Sequence, residues 1–300
     1  MKPNPVLKKL GLSDTDRAVI FHADDIGMCQ ASLSAYTDLV DFGLLSAASV
    51  MVPCPWFPAT AAFCRNNPET LDMGVHLTIT SEWAGYRWGP ISTRDAASGL
   101  IDETGYFYAG SANVQARAEM AAVQRELETQ LKRGLAAGID VTHIDSHMFA
   151  IFPTFVPVYF QLALSYQIPA FLFRYDKERL QSMGYEEEAA ASLAKVIQTG
   201  EEQGIPLLDH YYQMSLHEHE NRLDEAKQVL DNLSAGITYF LIHPAQDTPE
   251  LRAMAPDWRS RVADYQLFTD ETFRKYVEDT GIHVINYRTL RDLMRKGMRG

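Results

Sequence analysis

The feature that most limits what this chain can fold into is a repeated switch in hydrophobic period. From Arg17 it reads RAVIFHADD, an apolar, β-branched run closed by polar residues, and Ser32 to Phe42 follows with helical spacing up to Gly43. The switch recurs: LLSAASVMV reads as a strand, PWFPATAAFCRNNP as a helix, and LDMGVHLT as a strand. A long insertion from Ser81 to Gly110 precedes a helix from about Val114 to Ala137. IDVTHIDS, IPAFLF, GITYFLIH and IHVIN read as further strands. Helices are expected at Phe155 to Tyr166, Glu186 to Glu202 and Leu223 to Leu233, with two more near the C-terminus. Such alternation implies a parallel sheet covered by helices.

An open doubly wound sheet and a closed barrel both satisfy this pattern. Polar residues decide for the barrel. His22 to Asp25, His76, Asp145 to His147, Arg174 and His243 fall at the ends of different strands, whereas an open sheet gathers its ligands at one switch point. We therefore expect an α/β, TIM-like (β/α) barrel. It is expected to form a single domain over residues 1–300, interrupted by the insertion at 81–110. At 46% hydrophobic and 22% charged, the 300 residues can bury a large core. On the helix at 114–137, Val123, Leu127, Leu131 and Leu135 form a stripe suited to packing on the barrel.

A net charge of -12 argues against a nucleic-acid partner. No segment reads as a secretion signal or a membrane span. Cys29, Cys54 and Cys64 are odd in number and form no CxxC pair, so a reducing, cytoplasmic setting is expected.

Adjacent carboxylates at the end of a buried strand, as in His22-Ala23-Asp24-Asp25, call for a compensating cation or else serve as a helix N-cap or turn. In extended backbone Asp24 and Asp25 would point to opposite sides, one to a metal and one to water or substrate. VTHIDSHMF places His143, Asp145 and His147 on one face of a strand end, where Asp145 can orient a ligand imidazole and either histidine can be that ligand. With His76 of GVHLT they complete an open-sided hydrolytic site for one divalent ion: zinc, manganese, cobalt, nickel or magnesium. His243, ahead of Pro244, suits a general acid. Arg174 could bind a sugar hydroxyl or steady Asp24, or form a structural ion pair. Trp83, Tyr86 and Trp88 of the insertion could stack on a sugar, pack their own loop, or support a homodimer contact. His217 and His219 sit among charged residues in a probable-turn composition, LHEHEN, and read as a solvated loop, with a lid as the other option.

The motifs HADDIG, GVHLT, THIDSH and LIHPA, in this order and spacing, resemble the YdjC-like carbohydrate deacetylases, a family related to the polysaccharide deacetylases. The resemblance implies a (β/α) barrel of about seven or eight units, a metal held by Asp25, His76 and His147, Asp24 as general base and His243 as general acid. It also implies removal of acetyl groups from N-acetylated sugars or oligosaccharides. One departure is plain: many relatives carry further histidines after the third motif, where this chain has Met148, Phe149 and Ala150. Another metal-dependent hydrolase on the same barrel, amidohydrolase or phosphoesterase, and a non-catalytic sugar-binding relative are the alternatives.

Overall fold

The computed structural model describes residues 2–298. Strands β1 (Arg17–Ile26), β2 (Ala47–Val50), β3 (Met73–Leu77), β4 (Val141–Ser146), β5 (His210–Gln213), β6 (Gly236–Ile242) and β7 (His283–Val284) form one parallel sheet. Its order is β4-β3-β2-β1-β6-β5, and β7 pairs with β1. β7 meets β1 at Ala18 and Val19 whereas β2 meets it from His22, so the two share one edge of β1 at different heights.

Period-two alternation separates two apolar layers. Ala18 and Ile20 of β1 pack with Ile237, Tyr239 and Leu241 of β6, which makes the barrel interior. Val19, Phe21 and Ala23 belong with Phe240 and Ile242 to the layer under the helices. Interior positions toward the C-terminal strand ends switch from apolar to chemical: His22 and Asp24 continue the Ala18–Ile20 face. Register then sets who meets whom, since His76 lies beside Asp145 and Ala23 beside Ile242, one step below Asp24 and His243.

IPAFLF differs from its expected strand. It forms no ladder, only single parallel bridges from Ala170 to Ile144 and from Phe173 to Leu208. Backbone bonds Phe171 N to Ile144 O (2.9 Å) and Leu208 N to Leu172 O (3.0 Å) carry this segment across the gap between edge strands β4 and β5. The TIM-like barrel thus has one seam held by isolated bridges. β5, reading HYYQ, escapes the strand signal because its residues are all half-buried aromatics and polar groups without clear alternation.

The long helix expected over 114–137 is broken into Ser111–Arg117 and Met120–Ala136. Glu119 N bonds to Ser98 O at 3.0 Å, so the insertion docks into the break. Val123, Leu127 and Leu131 are buried as expected, but Leu135 is 39% exposed. Gly134 takes its place against the sheet, where a Cβ would lie 3.1 Å from Val75 Cγ2. Near the C-terminus four helices, Pro249–Met254, Trp258–Phe268, Glu271–Asp279 and Tyr287–Gly297, replace the expected two. Asp270 and Asn286 cap the third and fourth, which divides what reads as continuous helical periodicity. Cys29, Cys54 and Cys64 are buried and unpaired. Among the described residues, no helix is long and apolar enough to cross a membrane.

Inside the barrel Gly74 lies against His143, and a Cβ there would be 2.5 Å from Nε2 of its ring. The ring cannot move aside, because it stacks on Tyr287 at 3.9 Å. Gly74→Ala is expected to cost about 1–3 kcal/mol by overpacking, and part of that should return in the Gly74→Ala/His143→Ala double variant. Urea unfolding of the four proteins of that cycle measures both.

Candidate metal centre and active site

Three loop-proximal strand ends deliver the central donors. β1 would carry Asp24 and Asp25 to opposite sides if it stayed extended, but Asp25 adopts φ 63. That left-handed step swings it round, and both carboxylates line one cavity of about 270 Å³. Gly27 follows at φ 79, where a Cβ would come within 2.7 Å of Thr60 Oγ1, so the turn after the strand requires glycine. β3 supplies His76, and the residue after β4 supplies His147.

Asp25 Oδ1 lies 3.1 Å from His147 Nδ1 and 3.4 Å from His76 Nε2, and the two nitrogens are 3.2 Å apart. Four-coordinate zinc with bonds of about 2.0–2.1 Å separates its donors by roughly 3.3 Å, so the spacing fits an ion. Each imidazole has its other nitrogen against a carboxylate: His76 Nδ1 is 2.8 Å from Asp145 Oδ1, and His147 Nε2 is 3.0 Å from Glu82 Oε2. That pattern presents the free nitrogen's lone pair toward a metal. Asp25 Oδ1 is itself buried without a hydrogen bond, an orphan that a cation would satisfy. The chemistry of this donor set therefore fits one divalent ion.

His143 belongs to a different group. Its Nε2 is 2.7 Å from Nε2 of His22, a direct imidazole–imidazole contact, and neither ring lines the cavity. His22 Nδ1 in turn lies 2.8 Å from Asp24 Oδ1, so the two histidines back the carboxylate from inside the barrel. Tyr239 Oη reaches both Asp24 Oδ1 and Asp145 Oδ2 at 3.4 Å. His243 lines the cavity with Nδ1 unpartnered, and its backbone N donates to Asp264 Oδ2 at 2.9 Å.

A family model described as YdjC-like protein matches residues 18–279. The chain belongs to the YdjC-like family. It is 30% identical to a carbohydrate deacetylase of Thermus thermophilus over 96% of this chain and 99% of that one. A carbohydrate deacetylase of Thermoanaerobacter pseudethanolicus is 25% identical, with coverages of 91% and 99%. Among solved structures, a protein of Enterococcus faecalis provisionally described as a cellobiose-phosphate cleavage protein superposes with TM-score 0.76. The pair is 22% identical, covering 92% of this chain and 99% of that one, which shows a shared fold.

Two residues singled out in the sequence lie elsewhere in this YdjC-like protein. Arg174 leaves the site altogether: it binds Glu201 Oε1 at 2.7 Å and Asp209 Oδ1 at 3.1 Å, a structural ion pair near the start of β6. Trp88 is buried, donating Nε1–H to Thr80 O at 2.7 Å, while Trp83 does line the cavity. Tyr86 Oη bonds to Met28 O at 2.6 Å, and the rings of Trp83, Tyr86 and Trp88 pack against one another with centroids 5.8–6.4 Å apart. His217 and His219 are exposed, as expected of a solvated loop.

Several participants escape a reading of strand ends. Arg261, on the helix Trp258–Phe268, bonds Asp25 Oδ2 at 2.8 Å and Asp257 Oδ1 at 2.9 Å. Glu82 comes from the insertion. The i,i+4 spacing of Asp257 and Arg261 was the available signal, and it reads as an ordinary surface pair.

Burial would raise the Asp25 carboxyl, but Arg261 and His147 outweigh it and hold the group well below its usual range. Burial opposes protonation of His147, yet Glu82 and Asp25 lift it from 6.5 to about 9. For His76, burial is likewise outweighed, here by Asp24 and Asp145, and the ring is raised well above its ordinary value. A histidine raised on folding stabilises the fold below its unfolded pKa and loses that contribution as pH rises through the folded one. The metal-free protein should therefore lose stability from about pH 6.5 to 9, as thermal melts across that range would show. Metal must displace these protons, so calorimetry at pH 7 in buffers of different ionisation enthalpy should show release of about one to two protons per ion.

Proposed function

We propose that this chain is a metal-dependent carbohydrate deacetylase that hydrolyses the acetyl amide of N-acetylated sugars or oligosaccharides. One observation carries the reading: three donor atoms converge on a cavity that also holds a second carboxylate, Asp24, and an unpartnered imidazole nitrogen on His243. Asp25, His76 and His147 would hold the ion, and two nitrogens with one oxygen favour zinc or a similar transition metal over magnesium. Bound there, such an ion supplies Lewis-acid polarisation of the acetyl oxygen and acidification of a water.

The protein's own groups do the rest. Asp24 Oδ2 is 3.6 Å from His76 Nε2, next to the donor set, while Oδ1 rests against His22. Asp24 takes a proton from the attacking water as the new C–O bond forms. His243 gives a proton to the sugar nitrogen as the C–N bond breaks, so acetate and a free amine leave. Burial holds His243 below its ordinary value, which makes its proton easier to give but reduces the fraction that carries one as pH rises. Arg261 occupies Asp25 Oδ2 and leaves Oδ1 turned to the imidazoles. Trp83, at the cavity wall, offers a flat ring to a sugar face.

Acetate release from a panel of N-acetylated sugars, using metal-loaded, chelated and variant proteins, tests this. Chelation should abolish activity. Asp24→Asn should lower kcat roughly 10²- to 10⁴-fold while metal affinity persists. His147→Ala should lose metal binding and His143→Ala should keep it; the reverse outcome would remove the ligand assignment, and activity without metal would remove the mechanism.

A further inference from the structure

Beside the catalytic cavity is a second one of about 360 Å³, and the two share Phe149 and Phe171. Its volume lies within the range of small-molecule pockets, about 300–1,000 Å³. Its chemistry is unlike that of its neighbour. Phe173, Tyr175, Leu193 and Ile197 typify the wall, and no charged, amide or imidazole side chain is among the described residues that line it. Tyr211 spans the boundary: its ring faces the chamber, and its hydroxyl donates to Gln213 Oε1 at 2.5 Å, a residue of the catalytic cavity.

The rim carries a second, independent signal. Among the described residues, exposed large apolar side chains include Phe149 (42%) and Met183 (51%), which line this chamber, and Met148 (42%), which lines the adjoining catalytic cavity. Met148 and Phe149 both hold φ 52, a conformation unfavourable for such residues, and it is this strained turn that sets Phe149 in the shared wall.

We propose that this chamber receives an apolar aglycone, an alkyl or aryl group joined to the N-acetylated sugar, so that the substrate is an amphiphilic glycoside. The inference rests on the deacetylase reading above for the sugar end. A second sugar ring would bring several hydroxyls to a wall whose side-chain polar atoms are the hydroxyls of Tyr175, Tyr185 and Tyr211, the last already bonded to Gln213, and each buried hydroxyl left unpaired weakens binding. A phosphate would meet no cation. An alkyl chain loses nothing there and gains the transfer free energy of each methylene.

The test is a series of n-alkyl β-glycosides of N-acetylglucosamine, methyl to octyl, with metal-loaded protein. kcat/KM is expected to rise up to about fourfold per buried methylene until the chamber is full. n-Octyl β-glucoside, which has no acetyl group, should bind below its micelle concentration, read by calorimetry. Leu193→Trp, which fills the chamber, should collapse the octyl-to-methyl ratio of kcat/KM. Met183→Glu alters an exposed rim residue, keeps folding out of question, and should reduce the same ratio and the octyl glucoside affinity. Acetate release indifferent to chain length, or a gain that comes only from an added sugar ring or a longer N-acyl group, would overturn the aglycone assignment and leave deacetylation standing. Octyl glucoside binding that Met183→Glu weakens, without acetate release from any substrate, would do the reverse.

Discussion

The open end of this barrel depends on confining negative charge within an apolar shell. Asp24, Asp25 and Asp145 are all buried, and an ionised carboxylate taken out of water costs several kcal/mol unless countercharge and hydrogen bonds are supplied. Arg261 supplies one countercharge from outside the sheet, and its own position is fixed by Asp257 one helical turn away. The imidazoles supply the remainder, each placed between two carboxylates. The helix Trp258–Phe268 is therefore anchored by the site as much as the site is built by the strands. Asp264 on the same helix shows the other limit of the balance: burial lifts its carboxyl to about 7 even beside Arg222.

How much of this could be read from residues alone follows from where each group lies. Asp24, Asp25, His76 and His147 interrupt or terminate apolar runs, and a polar residue in such a run is conspicuous. Arg261 and Glu82 lie in stretches already rich in charge, so only the fold turns them inward. His143 and His147 were inseparable in one dimension because alternation gives both the same face. The departure of His147 from the strand into a short 3-10 turn separates them. Similarly, no alternation rule anticipates the φ of Asp25, which brings adjacent carboxylates to one cavity.

The fold shows the same division. Runs buried on both faces, such as β1 and β6, announced themselves. IPAFLF announced itself too strongly, because burial gives an apolar sequence whether or not its backbone finds a ladder. Arg174 followed from that: taken as the end of a full strand, it seemed destined for the rim, whereas the segment's short crossing leaves it among Glu201 and Asp209.

That seam has a mechanical consequence. A laddered strand transmits strain to its neighbours through every peptide, but residues 169–174 are tied to Ile144 and Leu208 by a few bonds. Phe171 and Phe173 sit on this segment and line the apolar chamber. The barrel is consequently laddered around its donor set, on β1, β3 and β4, and held by only a few bonds along the wall where Phe171 stands between the two cavities. Local opening there breaks fewer backbone bonds than opening along the ladders of β1, β3 and β4, which makes the amides of Phe171 and Arg174 a short route for solvent exchange into the interior.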